Sequence, residues 1–140
     1  MKFYLDTCIW RDFFEDRFDG LKPLGEFAFR FLKQCKERKI PIIVSDAVVF
    51  ELRHYFSQER VDEVFSHFGN IIVNVFATPQ QFSEANKEWV KRGKKLPFDD
   101  VLHAVLAKHH KSVLVTRDSH FFDFLTSIVE VEKPEDIILD

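Results

Sequence analysis

"KFYLDTC", residues 2–8, decides how the chain is read. Phe3, Tyr4 and Leu5 form a short run suited to a buried strand, and that run ends on a carboxylate, Asp6, with the Thr7 hydroxyl beside it. An acid in that place either caps the helix that follows or opens a functional pocket. Three more isolated acids bear on the choice. Glu51, Asp100 and Asp118 each stand where a strand hands over to a helix or just inside the next helix.

Working outward, the sequence alternates between two periodicities. "CIWRDFFEDRF" (8–18) has helical spacing that stops near Gly20, and from Pro23 to Lys39 the residues Leu24, Phe27, Phe31, Leu32 and Cys35 recur at steps of three and four. Pro41 breaks that helix. "PIIVS" (41–45) is a β-branched strand, after which Ser45 or Asp46 can cap the helix "AVVFELRHYFS" (47–57). "QERVDEVFSHFG" (58–69) puts Val61, Val64, Phe65 and Phe68 on one side and ends at Gly69. "NIIVNVF" (70–76) is the third strand. Thr78 and Pro79 open a helix that closes at Gly93, Pro97 repeats the opening device for "LPFDDVLHAVLAKHH" (96–110), and "SVLVT" (112–116) is the fourth strand. "RDSHFFDFL" (117–125) reads as a short helix, "SIVEV" (127–131) as an edge strand and "KPEDIIL" (133–139) as a closing helical turn. Strands separated by helices pair in parallel, because parallel neighbours need a crossover. The expected fold is therefore a three-layer α/β/α sandwich around a parallel sheet of four to five strands.

Composition sets the outer limits. At 140 residues and 46% hydrophobic, with four Gly and five Pro, the chain is sized for one globular domain, 1–140, with a substantial core. No apolar run approaches the ~20 residues of a bilayer crossing, and the opening meets an acid too early for a signal peptide's apolar region, so the expected location is the cytoplasm. Cys8 and Cys35 lack paired spacing and read as small buried apolar residues. A net charge of −3 argues against a protein that coats nucleic acid by bulk electrostatics, but not against an enzyme acting on it. Acids gathered around metal lower net charge, while a local basic stretch such as "WVKRGKKLPF" (89–98) can still meet phosphates.

In open parallel sheets, functional groups collect beyond the carboxyl ends of the strands. If the strands bearing these acids are neighbours, Asp6, Glu51, Asp100 and Asp118 face one pocket. Carboxylates within about 4–6 Å raise one another's pKa, so such a cluster calls for a cation. Oxygen ligands suit a hard ion, and one or two Mg²⁺ or Mn²⁺ ions fit phosphodiester hydrolysis. Each residue has a plainer reading beside this one. Asp6 and Asp118 can be helix caps, Glu51 a solvated helix residue, and Asp99 and Asp100 acids complementing a helix dipole. Lys91, Arg92, Lys94 and Lys95 can be a solvated helix end or a phosphate grip, as can Arg53 and Arg117. His103 reads as packed or bonded on its own helix, and His109, His110 and His120 have no zinc-like companions in the sequence.

The order of these motifs resembles the PIN-domain nucleases, and among them the VapC-type ribonuclease toxins. "DT" (6–7), the Glu of "SDAVVFEL" (45–52), "DDVLHAVLA" (99–107), "VTRDSHF" (115–121) and the closing "VEKPEDIIL" (131–139) carry the resemblance over nearly the whole length. It implies a sheet ordered 3-2-1-4-5, divalent metal and cleavage of RNA leaving a 5′ phosphate. By position it implies Asp6, Glu51, Asp100 and Asp118 as the acidic quartet, with Thr7 and Thr116 orienting water or substrate. Asp100, His103 and Ala104 fit the family's third motif, and Asp99 is the reserve ligand. The resemblance also implies a homodimer, and the surplus of Phe, 17 residues with Phe29 off the buried face, suits either that or a groove for an antitoxin helix.

Rival functions fail on named residues. A phosphoacceptor receiver domain needs paired acids after its first strand and a lysine after its last, and a haloacid-dehalogenase-like phosphatase needs a second Asp where Cys8 stands. The remaining alternative is a non-catalytic member of the same fold that binds RNA or a protein.

Overall fold

The computed structural model describes residues 1–139. It runs β1 (Phe3–Leu5), α1 (Thr7–Glu15), α2 (Leu24–Glu37), β2 (Ile42–Ser45), α3 (Asp46–Leu52), α4 (Gln58–Ser66), β3 (Ile72–Val75), α5 (Pro79–Lys91), α6 (Phe98–His109), β4 (Val113–Val115), α7 (Ser119–Phe124), β5 (Val131–Glu132) and a closing 3-10 turn (Pro134–Asp136). The strands form one parallel sheet in the order β3-β2-β1-β4-β5, with helices on both sides. That is the architecture and strand order the sequence led us to expect. No helix among the described residues is long and apolar enough to cross a membrane.

β1 lies at the centre, with Phe3 opposite both Ile42 and Val113, and all three of its residues are buried. A strand covered on both faces has no reason to alternate apolar and polar residues, which explains why "FYL" and "IIV" read as continuous runs. Around it the core gathers Ile9, Trp10, Leu32, Leu52, Leu106 and Phe121, all fully buried. Trp10 meets Phe65 edge-on with ring centroids 4.8 Å apart, joining α1 to α4.

Several elements are shorter than their periodicity suggests. α1 ends at Glu15, well before Gly20, because Asp16 turns left-handed (φ 46°) and returns its N–H to the Asp12 and Phe13 carbonyls. α3 stops at Leu52, and "RHYF" forms turns whose N–H groups bond back to Val49, Glu51 and Leu52. α4 ends at Ser66 with a right-handed cap at His67, so Gly69 does not close it by a left-handed turn. Pro97 is the N-cap of α6 rather than its first residue, whereas Thr78, Pro79 and Gln81 build the expected opening of α5 as a reciprocal capping box. The last strand falls at Val131–Glu132, later than "SIVEV".

Gly25 fixes how closely α1 and α2 approach. A Cβ built there would lie 2.6 Å from the Asp16 Cα and 2.8 Å from the Asp12 carbonyl oxygen, and its own N–H bonds the Arg17 carbonyl at 3.0 Å. Backbone atoms cannot step aside as a side chain can. Gly25→Ala should therefore destabilise the fold by roughly 1–3 kcal/mol, the range for overpacked sites, measured as a lower denaturant midpoint with unchanged slope.

Candidate active site

The central position of β1 determines what surrounds Asp6. β2 delivers Ser45 and then α3 on one side, and β4 delivers Thr116 and then Asp118 on the other. Asp6 itself is 5% exposed. Its Oδ1 accepts the Thr7 N–H at 2.8 Å, and its Oδ2 accepts Thr116 Oγ1–H at 2.9 Å and the Cys8 thiol at 3.2 Å. The residue does cap α1, so the plain reading holds. Capping does not explain why the carboxylate is buried beside further acids. Burial raises its pKa, the neighbouring His103 and the Cys8 and Thr116 hydrogen bonds pull it down, and Glu51 adds to the rise.

On the β4 side, Asp118 caps α7 by accepting the His120 N–H at 2.9 Å, and its own N–H is held by Thr116 Oγ1 at 3.1 Å. Asp100, in the first turn of α6, faces the same place. His120 Nδ1 lies 3.1 Å from Asp100 Oδ2 and 3.5 Å from Asp118 Oδ1. One ligand atom from each of Asp100, Asp118 and His120 falls within 4.8 Å of the others, a spacing a cation could bridge. Burial pushes the Asp100 carboxyl up to about 6, with Asp6 and Asp118 adding to the rise and the His120 hydrogen bond opposing it. Asp99, the reserve candidate, is exposed and takes no part in this group.

Glu51 sits on the β2 side, partly exposed, with Oε1 in very close contact with Nε2 of the buried His103. Burial lowers the His103 pKa, but the Glu51 hydrogen bond and the charges of Asp6, Glu51 and Asp100 outweigh it, so the ring lies above the usual imidazole range. Charge interactions run stepwise along the carboxyl edge, from Glu51 to Asp6, from Asp6 to Asp100 and from Asp118 to Asp100, but only Asp100 and Asp118, with His120, come within bridging distance among the described residues.

Two side chains at this edge were not picked out from the sequence. His120, without zinc-like companions along the chain, finds acidic ones in Asp100 and Asp118 through tertiary structure. Cys8 is not an inert apolar filler but a thiol donor to Asp6, 3.5 Å from Thr116 Oγ1. A hint of the first lay in its position two residues after Asp118, inside the same helical turn. Nothing local marked the second.

The basic candidates divide differently. Arg117 bonds Asp12 at 3.0 Å and Glu135 at 2.7 Å, which makes it a brace between β4, α1 and the closing turn. Arg53 caps its turn through the Phe56 carbonyl, Lys94 lies over the Trp89 ring, and Lys95 is exposed. Arg92 is held by Glu88, the Phe124 carbonyl and Ser127. Thr7 is buried, and its Oγ1 makes no hydrogen bond within the protein, a free polar atom next to Asp6.

Comparison with solved structures places this arrangement among known folds. The chain superposes on VapBC2 from Rickettsia felis, solved bound to a DNA fragment from its promoter, with a TM-score of 0.70 at 17% identity over 95% of this chain and 98% of that one. It superposes on VapBC-1 from nontypeable Haemophilus influenzae with a TM-score of 0.66 at 14% identity, covering 96% and 98%. For FitAB bound to the IR36 DNA fragment the TM-score is 0.63 at 19% identity, covering 98% of both chains. No curated protein matches the sequence. The family described as PIN domain matches residues 3–124, which span all four acids, and the chain belongs to the PIN domain family.

Proposed function

We propose that the chain is a divalent-metal-dependent endoribonuclease and the toxin of a toxin–antitoxin pair. The observation that carries the reading is the gathering of Asp6, Glu51, Asp100 and Asp118 at one sheet edge with two imidazoles to balance four acids. Such an excess of anionic oxygen, with Asp6 buried and the other three acids partly exposed, is unfavourable without a countercharge. The donor set fits a cation: Asp100, Asp118 and His120 offer ligand atoms at bridging distance, and the Thr7 hydroxyl next to Asp6 has no partner within the protein. Mg²⁺ or Mn²⁺ held by these residues would supply an activated water and neutralise charge on the scissile phosphate. One or two ions are compatible with the number of acids.

The protein's own groups do the rest. Thr116 donates to Asp6 and accepts from the Asp118 backbone, so one hydroxyl sets the angle between two ligands. His103 fixes one oxygen of Glu51. Lys94 and Lys95, exposed in the turn that leads into α6, are suited to phosphate contacts, as is Arg53 at the end of α3. The two Arg117 ion pairs favour a bracing role for that residue over substrate contact.

The VapBC complexes with which the fold compares support a partner antitoxin. A groove of about 690 Å³ lined by Phe13, Phe29, Lys33, Lys36 and Phe68 is suited to receive an amphipathic segment of it, and a homodimer would be the assembly it regulates. A non-catalytic binding module with this fold would have no use for four acids at one edge, so catalysis is the preferred reading.

Three outcomes are expected. Purified protein should cleave RNA with Mg²⁺ or Mn²⁺ and stop when the metal is chelated, while Asp6→Asn and Asp118→Asn stay folded and lose activity; equal cleavage by wild type and both variants would reject the assignment. Mn²⁺ should raise the melting temperature, by an amount equivalent to about 2.7 kcal/mol at a hundred times its Kd, and an unchanged Tm at millimolar Mn²⁺ would count against a formed site. The third concerns pH. The folded-state pKa of Asp100 stands above its unfolded value, so the native state binds the extra proton and this group's contribution to metal-free stability falls as pH rises from about 4 through about 6. Asp100→Asn should therefore melt higher than wild type in chelator at pH 8, yet gain less from Mn²⁺; a lower Tm in chelator would contradict the repulsion described here.

A further inference from the structure

One buried polar chain lies behind the acids. Val48 N–H donates to Ser45 Oγ at 3.2 Å, Ser45 Oγ is 2.7 Å from the Tyr4 hydroxyl, that hydroxyl is 2.6 Å from His103 Nδ1, and His103 Nε2 meets Glu51 Oε1. Tyr4 and Ser45 are 0% exposed and His103 is 1% exposed. Glu51 is the one partly exposed end of the chain. A carboxylate oxygen can only accept, so Nε2 carries the proton facing Glu51 in either charge state of the ring. The Tyr4 hydroxyl occupies the other ring nitrogen, which leaves the imidazole no alternative orientation that keeps both bonds.

An interior built only for stability would do as well with apolar side chains of the same shape, because each buried polar group must find a partner or destabilise the fold. A link to Glu51 is what apolar packing cannot provide. We propose that His103 and Tyr4 are positioning residues for the nuclease reaction: they turn one oxygen of Glu51 inward and so present the other to the cation. Ser45, anchored at the N-terminus of α3, orients the Tyr4 hydroxyl. The proposal rests on the metal-nuclease reading above. It differs from a ligand assignment, since neither residue touches the ion or the substrate.

The test is a direct Mn²⁺ titration, followed by the electron paramagnetic resonance of the free ion, with no RNA present. Tyr4→Phe keeps the ring and removes only the hydroxyl; it should weaken Mn²⁺ binding roughly 10- to 100-fold, the usual effect of losing a partner behind a ligand. His103→Ala should weaken it at least as much. His103→Gln should recover part, because an amide N–H can still donate toward Glu51. In a Glu51→Gln background, Tyr4→Phe should add no further loss, since its effect passes through the Glu51 carboxylate. Circular dichroism establishes that each variant is folded at the titration temperature, and Tyr4→Phe carries the test if His103→Ala does not fold. Wild-type affinity in folded Tyr4→Phe would overturn the proposal, as would an equal loss in both backgrounds, which is what a purely structural role gives. A wild-type protein that binds no Mn²⁺ would instead bring down the metal-nuclease reading, and this proposal with it.

Discussion

A carboxylate held out of water at the end of the central strand governs this molecule. Asp6 is buried where β1 stops, and β1 is paired on both sides, so the residues that follow β2 and β4 arrive around it. Desolvation disfavours the charged form of a buried acid, and the protein answers with three donors: the Thr7 N–H, the Thr116 hydroxyl and the Cys8 thiol. Two of those donors belong to α1 and one to the end of β4. The sheet order and the condition of this one side chain are therefore the same fact seen at two scales.

The remaining acids make the edge more strained electrostatically. Asp6 and Asp118 both raise Asp100, and Glu51 raises Asp6. His103 and His120 offset part of this, their rings bonding Glu51 and Asp100 respectively. An edge designed for stability alone would carry fewer acids. On the metal-nuclease reading proposed above, the favourable state includes a cation, and stability is given up without it.

Much of this was legible in the chain. Continuous apolar runs, capping residues and helical stripes gave the order and type of the elements, with the largest misplacements at the end of α3 and at the last strand, and the alternation required a parallel sheet. The boundaries that shifted did so for local backbone reasons that composition does not encode, such as the left-handed turn at Asp16 or the early end of α3 at Leu52. Asp6 and Asp118 were visible because each follows a strand and opens a helix, while Glu51, near the end of α3, and Asp100, in the first turn of α6, were picked out by the order of the motifs. Their partners were not. His120 meets Asp100, and Tyr4 meets His103, across separations that only the folded sheet closes. One clue was present: a tyrosine in the middle of a fully buried strand must find a partner for its hydroxyl, and the strand ends two residues later on Asp6.

Arg117 and Asp118 are adjacent, yet they belong to opposite regimes. Arg117 pairs with Asp12 and Glu135, and Arg17 and Arg11 join the same network through Asp12 and Glu15, so three permanently charged guanidinium groups face three acids. Asp118 joins a group in which anions outnumber imidazoles. A single peptide bond thus separates charge that the polypeptide balances for itself from charge it leaves in surplus.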